Sequence, residues 1–339
     1  MKALVTGAKG FIAGYLVREL LERGWEVVGL DNESKYGEVE KSYDDHKAFR
    51  YVRGDAKDAG LMRDLLADCD HFVAGAAMIG GISYFHALAY DLLAENERIT
   101  AAAFDAALWA KANARLRKIT VVSSSMVYEN ATLYPTPEGH QQVCPPPTST
   151  YGFQKLAVEY FAAGAWQQHR LPYTIVRPFN CVGIGERRAV GGKDVKSGNV
   201  SLAMTHVVPD LVQKILKGQD PLRILGDGGQ VRCYTYGGDL ARGIYLAMDK
   251  EAALNEDFNL STPLSTTVLE LAALIWRKIH GDKPMRYLSD PPYPHDVQRR
   301  VPDVSKAARV LGFTADTPLD QALDEIIPWV RAQIAEGGI

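Results

Sequence analysis

Residues 3–31 read ALVTGAKGFIAGYLVRELLERGWEVVGLD. Ala3–Val5 is an apolar run of strand length, Gly7 and Gly10 punctuate a turn, and Phe11, Ile12, Leu16 and Leu20 recur at helical spacing. A second apolar run, Glu26–Leu30, ends on Asp31. The pattern is a β-α-β unit whose first turn opens a helix. Glycines at 7 and 10 leave the N–H groups of a helix N-terminus unobstructed, and those groups can hold a pyrophosphate. Asp31 follows about 20 residues later, where a carboxylate binds ribose hydroxyls and repels a 2′-phosphate. The spacing therefore predicts a dinucleotide site for NAD rather than NADP, with Gly7, Gly10, Phe11, Ile12, Asp31 and Asn32 around the cofactor. Ala13 followed by Gly14 fills the third small position of the turn.

Length and composition bound the rest. A chain of 339 residues, 47% of them hydrophobic, can bury a large core. The formal charge of -3, with no lysine or arginine block, argues against nucleic acid as a partner. No run reaches the roughly 18 apolar residues of a membrane helix. The chain enters its first strand directly after Met1 and Lys2, so neither a membrane partner nor a secretion signal is expected. Cys69, Cys144, Cys181 and Cys233 are far apart and lack metal-ligand spacing. They read as reduced structural thiols of a cytoplasmic protein, with no metal site.

Beyond Asp31, residues 32–50 are polar and read as a loop, with room for a short helix. Tyr51–Val52 starts a third strand running into Gly54 and Asp55. Asp55, with Ala56 beside it, serves either the adenine amino group or a helix N-cap. Leu61–Leu66 is helical, and His71–Ala74 is a fourth strand followed by Gly75, Ala76, Ala77, Met78, Gly80 and Gly81. Small residues directly after a strand let a cofactor lie against the backbone. A long helical pattern runs from about Ala89 to Asn113, and its lone Asn96 either faces the active site or lies on the surface. Ile119–Val122 is a fifth strand, Ser149 an N-cap for a helix from near Tyr151, and Tyr173–Arg177 a sixth strand. Residues 183–200 are glycine-rich and carry Arg187, Arg188, Lys193 and Lys196. They read as a lid over an anionic ligand or as a solvated or oligomer-contacting loop. Leu222–Leu225 and Arg232–Tyr236 read as strands joined by the Gly226–Gly229 turn. The alternation predicts an α/β chain: a Rossmann doubly wound parallel sheet with a smaller C-terminal α/β substrate-binding domain.

Two further groups carry chemistry. Tyr151 and Lys155 stand four apart at a helix start, so both project from one face. An ammonium beside a phenol lowers a pKa that is ordinarily about 10, favouring a base able to take a hydroxyl proton. Ser124 and Ser125 follow the fifth strand, where a hydroxyl can hydrogen-bond the reacting oxygen.

The TGxxGFI turn, Asp31, Ser123-Ser124-x-x-Val127-Tyr128, Tyr151-x-x-x-Lys155, Arg177-Pro178-Phe179-Asn180 and QVRxYTYxxDLA from Gln230 together resemble the extended short-chain dehydrogenase/reductases. The resemblance is to their nucleotide-sugar epimerase/dehydratase group and runs from residue 1 to about 315. It implies that Tyr151, Lys155 and Ser124, with Ser125 beside it, are catalytic. Asp55, Ala56, Ala76, Ala77, Tyr151, Lys155 and Pro178 join the cofactor set. Met78, Gly81, Ser125, Met126, Asn180, His206, Val207, Arg232 and Arg300 meet a nucleotide-diphosphate sugar, the two arginines gripping its phosphates. Cys233, Gly237 and Gly238 depart from the Asp, Val and Asp usual in relatives. Dehydratases of the group carry an Asp-Glu pair where this chain has Ser125 and Met126, so dehydration is disfavoured. Fucose synthase and mannose 3,5-epimerase put a cysteine where Met126 stands; the former pairs it with a histidine, matched here by His206. His206 is thus a substrate contact, an acid/base group or a helix-start residue.

The resemblance implies an NAD-dependent nucleotide-sugar epimerase acting at C4 through a transient 4-keto sugar. An epimerase/reductase of the fucose-synthase kind using His206 is the alternative, and a dehydratase a more distant one. Residues 1–180, with a return at about 228–260, are expected to hold NAD; 181–227 and 261–339 are expected to hold the nucleotide sugar. A homodimer through helices 89–113 and 151–165 is expected on the same grounds.

Overall fold

The computed structural model describes residues 1–80, 88–187, 206–292 and 296–339, together with the backbone of 195–197 and 200–202. Gly81, Arg188 and Lys193 lie outside the described residues. Seven parallel strands form one sheet: β1 (Lys2–Thr6), β2 (Glu26–Asp31), β3 (Phe49–Arg53), β4 (His71–Ala74), β5 (Lys118–Val122), β6 (Tyr173–Pro178) and β7 (Glu256–Leu260). Their spatial order is β7-β6-β5-β4-β1-β2-β3. The order reverses between β1 and β4, and in such sheets ligands bind in the crevice at the carboxyl ends of the strands flanking that point.

Strands covered on both faces read as apolar runs, as β1 does; all of its residues but Lys2 are buried. Helix α1 (Phe11–Glu22) buries Leu16, Val17 and Leu20 on one face of the sheet. Helices α2 (Ala59–Leu66), α3 (Ala89–Asn113) and α4 (Thr150–His169) contribute to the core on the other. Ser149 caps α4, its hydroxyl accepting from the Gly152 N–H at 3.0 Å. A separate apolar cluster joins α5 (Val207–Leu216), α7 (Val268–His280) and α8 (Leu319–Ala335). Helix α6 (Gly237–Asp249) returns to the α1 face, burying Leu240, Ala241 and Ile244 beside Leu16 and Leu20.

Three readings change. The seventh strand, β7, pairs in parallel with β6, Phe258 opposite Val176. Its sequence, EDFNL, opens on two acids and carries fully buried Asn259, so no apolar run marks it. Asn259 is satisfied there, accepting from the Tyr128 hydroxyl at 3.0 Å and donating to the Thr136 and Asp303 carbonyls. The Arg232–Tyr236 strand splits into Val231–Arg232 and Thr235–Tyr236, which pair in different sheets. Residues 32–48 form turns with no helix.

Candidate active site

The crevice between β1 and β4 is built from backbone. A Cβ added at Gly7, where φ is +75°, would stand 3.1 Å from the Ala76 Cα, and one at Gly10 would meet the Gly7 carbonyl at 2.9 Å. The Thr6 hydroxyl accepts from the N–H groups of Gly75 and Ala76, each at 3.1 Å, and draws the two loops together. Gly10 is also the N-cap of α1, leaving the first N–H groups of the helix, Phe11 and Ile12 among them, without intrahelical acceptors. The cradle therefore fits a pyrophosphate. Asp31 ends β2 with its Oδ2 accepting from the Lys9 N–H at 2.9 Å and its Oδ1 from the Glu33 N–H at 2.7 Å. Both bonds orient the carboxylate and leave lone pairs for ribose hydroxyls. Glu33, which spacing alone does not single out, stands two residues on, accepts from the Tyr51 hydroxyl at 2.8 Å and adds a second carboxylate beside Asp31.

Asp55 caps no helix. Asp58 does, accepting from the Leu61 N–H, while Asp55 closes a turn by accepting from the Lys57 N–H at 2.9 Å. Asn96 is buried and anchors the loop after β4: its carbonyl accepts from the Met78 N–H at 2.7 Å and its amide donates to the Met78 carbonyl at 2.9 Å. Asn96 is therefore no surface residue, and Met78 is held by both backbone groups.

The strand-end serines separate. Ser124 hydrogen-bonds the Tyr151 phenol, and its oxygen also accepts from the Met126 N–H at 3.2 Å. Ser125 is buried in the following single turn, Ser125–Tyr128. Tyr151 packs among Leu92, Ile79, Met126 and Val297. Burial pushes its phenol upward, opposed by the Ser124 bond and then by the Arg300 charge. The expectation that Lys155 lowers this phenol is not met in the protein alone. The Lys155 ammonium lies 6.0 Å from the Tyr151 ring centre and donates to the Val122 carbonyl at 2.9 Å. Burial brings Lys155 itself down to about 8, with Glu159, one helical turn on, opposing.

The arginines meet across strands. Val231–Arg232 pairs in parallel with Arg299–Arg300, so Arg232 stands opposite Arg300. Arg300 donates to the Asn180 side-chain oxygen at 3.4 Å and reaches the Met126 sulfur at 2.9 Å. Burial and the like charge of Arg232 bring it down to about 9. Arg232 is tied to Asp296 at 3.4 Å and donates to the Val231 carbonyl at 2.9 Å. Two neighbouring guanidinium groups repel until an anion lies between them, as a diphosphate would. Asn180, Met126, Arg300 and Tyr151 are thus brought together.

His206 is the N-cap residue of α5, but its side chain caps nothing; the ring pairs with buried Glu186. The departure at Gly237 has a steric reason, one that also applies to Gly183. A Cβ at either would lie within 2.5 Å of the Tyr15 side chain, whose hydroxyl accepts from the Ile184 N–H at 2.8 Å. Among the described residues, no helix is long and apolar enough to cross a membrane, and all four cysteines are free.

Comparison with known proteins agrees with this geometry. The chain is 28% identical to a UDP-N-acetyl-alpha-D-glucosaminuronate decarboxylase of Bacillus cytotoxicus, over 97% of this chain and 98% of that protein. It is 27% identical to a UDP-glucose 4-epimerase of Lactobacillus helveticus, over 96% and 95%. The crystal structure of UDP-glucose 4-epimerase from Thermotoga maritima, solved with UDP-glucose, superposes with a TM-score of 0.81 at 26% identity, covering 98% of this chain and 100% of that one. The NAD dependent epimerase/dehydratase family profile matches residues 3–261, so the chain belongs to that family and its cofactor is NAD.

Proposed function

We propose that this protein is an NAD-dependent nucleotide-sugar epimerase inverting C4 through a transient 4-keto sugar. The observation that carries the reading is the Tyr151–Ser124 pair, walled by Met126 with no carboxylate at position 125 or 126. Tyr151 takes the C4 hydroxyl proton, Ser124 hydrogen-bonds the same oxygen as charge develops on it, and Lys155 keeps positive charge near the phenol. NAD, when bound, would accept the C4 hydride and return it to the opposite face of the ketone, and its positively charged ring would favour phenolate. Arg232 and Arg300 hold the diphosphate while the ketone turns. Gly7, Gly10, Phe11, Ile12, Asp31, Asn32, Asp55, Ala56, Ala76, Ala77 and Pro178 hold the cofactor. Ser125, Met126, Asn180, Met78 and Val207 line the sugar-diphosphate side.

Elimination of water needs an acid and a base beside C5 and C6, which serine and methionine do not supply. The epimerase/reductase alternative pairs a histidine, matched by His206, with a cysteine, and Met126 stands in the cysteine's place. Decarboxylation of a nucleotide-diphospho uronic acid through the same ketone is a second reading. It is favoured by the 28% identity to the Bacillus cytotoxicus decarboxylase over nearly the whole of both chains. A homodimer through α3 and α4 is part of the proposal, since Phe153 and Tyr160 stand 49% and 69% exposed on α4.

The test is proton NMR of the purified protein with UDP-, GDP-, dTDP-, CDP- and ADP-sugars and uronic acids. Inversion at C4 with no net redox change is expected, lost in Tyr151→Phe while NAD stays bound. Release of CO2 selects the second reading. Release of water or stoichiometric consumption of reduced cofactor refutes both.

A further inference from the structure

The loop between β2 and β3 folds back over the first turn of α1. The Tyr43 hydroxyl donates to the Ala8 carbonyl at 2.7 Å, and Lys9 Nζ donates to the Val39 carbonyl at 3.1 Å and to Asp44 Oδ2 at 2.6 Å. Lys41 Nζ lies 3.4 Å from the carbonyl of Gly10, the N-cap of α1. A Cβ added at Gly14 would stand 3.4 Å from that ammonium, and one at Gly185 3.7 Å. Lys41 therefore sits between the glycine turn and the segment that follows Cys181–Val182.

The charges facing it are Arg187, Lys9, Asp31 and Asp44. Neither acid is bonded to the ammonium, although Asp44 Oδ1 is buried without a hydrogen-bond partner. Asp44 Oδ2 accepts from Lys9 Nζ and from the Lys41 backbone N–H, and the two Asp31 oxygens accept from the Lys9 and Glu33 N–H groups. Among the described residues no carboxylate pairs with the Lys41 ammonium. Its one hydrogen bond is the long one to Gly10, a weak partner for a half-buried cation. Burial, then Arg187 and Lys9, bring it down to about 8.

We propose that Lys41 is a cofactor-binding residue whose ammonium neutralises the pyrophosphate of NAD at the first turn of α1. The inference rests on the NAD dependence of the family and is independent of which sugar is turned over. A neighbouring anion favours the charged amine, so binding takes up a proton wherever free Lys41 has lost its own. Affinity for NAD is therefore flat below pH about 8 and declines above it, by up to about tenfold per pH unit.

The test titrates the full chain, freed of NAD, with NAD, ADP-ribose and adenosine between about pH 6.5 and about 9.5, following heat or intrinsic fluorescence. Lys41→Met should weaken ADP-ribose about tenfold to hundredfold at neutral pH, leave adenosine within about twofold, and abolish the alkaline decline. Lys41→Arg should bind ADP-ribose at neutral pH and also lack the decline, because guanidinium stays charged. Unchanged ADP-ribose affinity in Lys41→Met overturns the proposal. So does an equal loss of adenosine, which would make Lys41 a prop for the loop. Binding is read without turnover, so failure here is distinguishable from failure of the epimerase reading.

Discussion

Replacing Glu159 by leucine should cost about 3 kcal/mol of folding free energy, and adding Arg177→Met should return about 1–2 kcal/mol of it. Glu159 sits on α4 one turn beyond Lys155; Arg177 is on β6 with 0% of its side chain exposed. Arg177 Nε and Nη2 donate to the two Glu159 oxygens at 2.8 Å each, Nη1 reaches Asp257 at 2.7 Å, and Ser123 donates to Glu159 at 2.5 Å. Removing one side of such a buried pair strands the other charge, typically at about 3–5 kcal/mol. Asp257 still faces Arg177 in the single variant, which places the cost at the lower end. In the double variant Asp257 keeps Lys306 at 2.7 Å, so stability should come back to within about 1–2 kcal/mol of wild type. Urea unfolding, read as a shift in midpoint at constant slope, measures both. A second readout separates scaffold from charge. Glu159 opposes the burial that holds Lys155 at about 8, so its loss moves the ammonium lower still. The alkaline limb of the activity profile should then shift to lower pH and stay shifted in the double variant. A double variant no more stable than Glu159→Leu, or an alkaline limb that does not move, would refute the reasoning.

Three further outcomes follow from the same structure. His71 is buried with both ring nitrogens unpartnered and is held at about 4 by burial. Because the folded value lies below the unfolded one, protonation favours unfolding, and about 3 kcal/mol should be lost as pH falls from about 6.5 to about 4. His71→Phe should flatten that acid limb in thermal unfolding at a series of pH values. Arg300→Met removes half of the proposed diphosphate grip and should raise KM about 30- to 100-fold, with NAD affinity unchanged by titration. Phe153→Glu combined with Tyr160→Glu should give a monomer by light scattering; a persistent dimer would place the interface elsewhere.

Much of the site was legible because its parts are local. Gly7, Gly10 and Asp31 lie within one β-α-β unit, and Tyr151 and Lys155 within about one helical turn. The long α3 was marked by its own periodicity, and α4 by its cap at Ser149. What escaped lacks a periodic signature. Glu33 and Lys41 belong to a polar loop that has no reason, in one dimension, to fold over α1. Asn96 fits an active-site or a surface position equally in one dimension, and only its two bonds to Met78 separate them. β7 was hidden by Asn259, whose burial makes sense only once Tyr128, Thr136 and Asp303 surround it.

By itself, then, the amino-acid order determined a glycine turn opening a helix, an acid, Asp31, ending the second strand and a Tyr–Lys face on one helix. Helix and strand periods alone set where those side chains project. Only the tertiary structure decided that Ser124 meets Tyr151, that Arg232 stands opposite Arg300, and that Arg300 reaches Met126 from 174 residues away. Such pairings depend on register between distant strands and on which helix covers which face, and burial of apolar surface selects these for the chain as a whole.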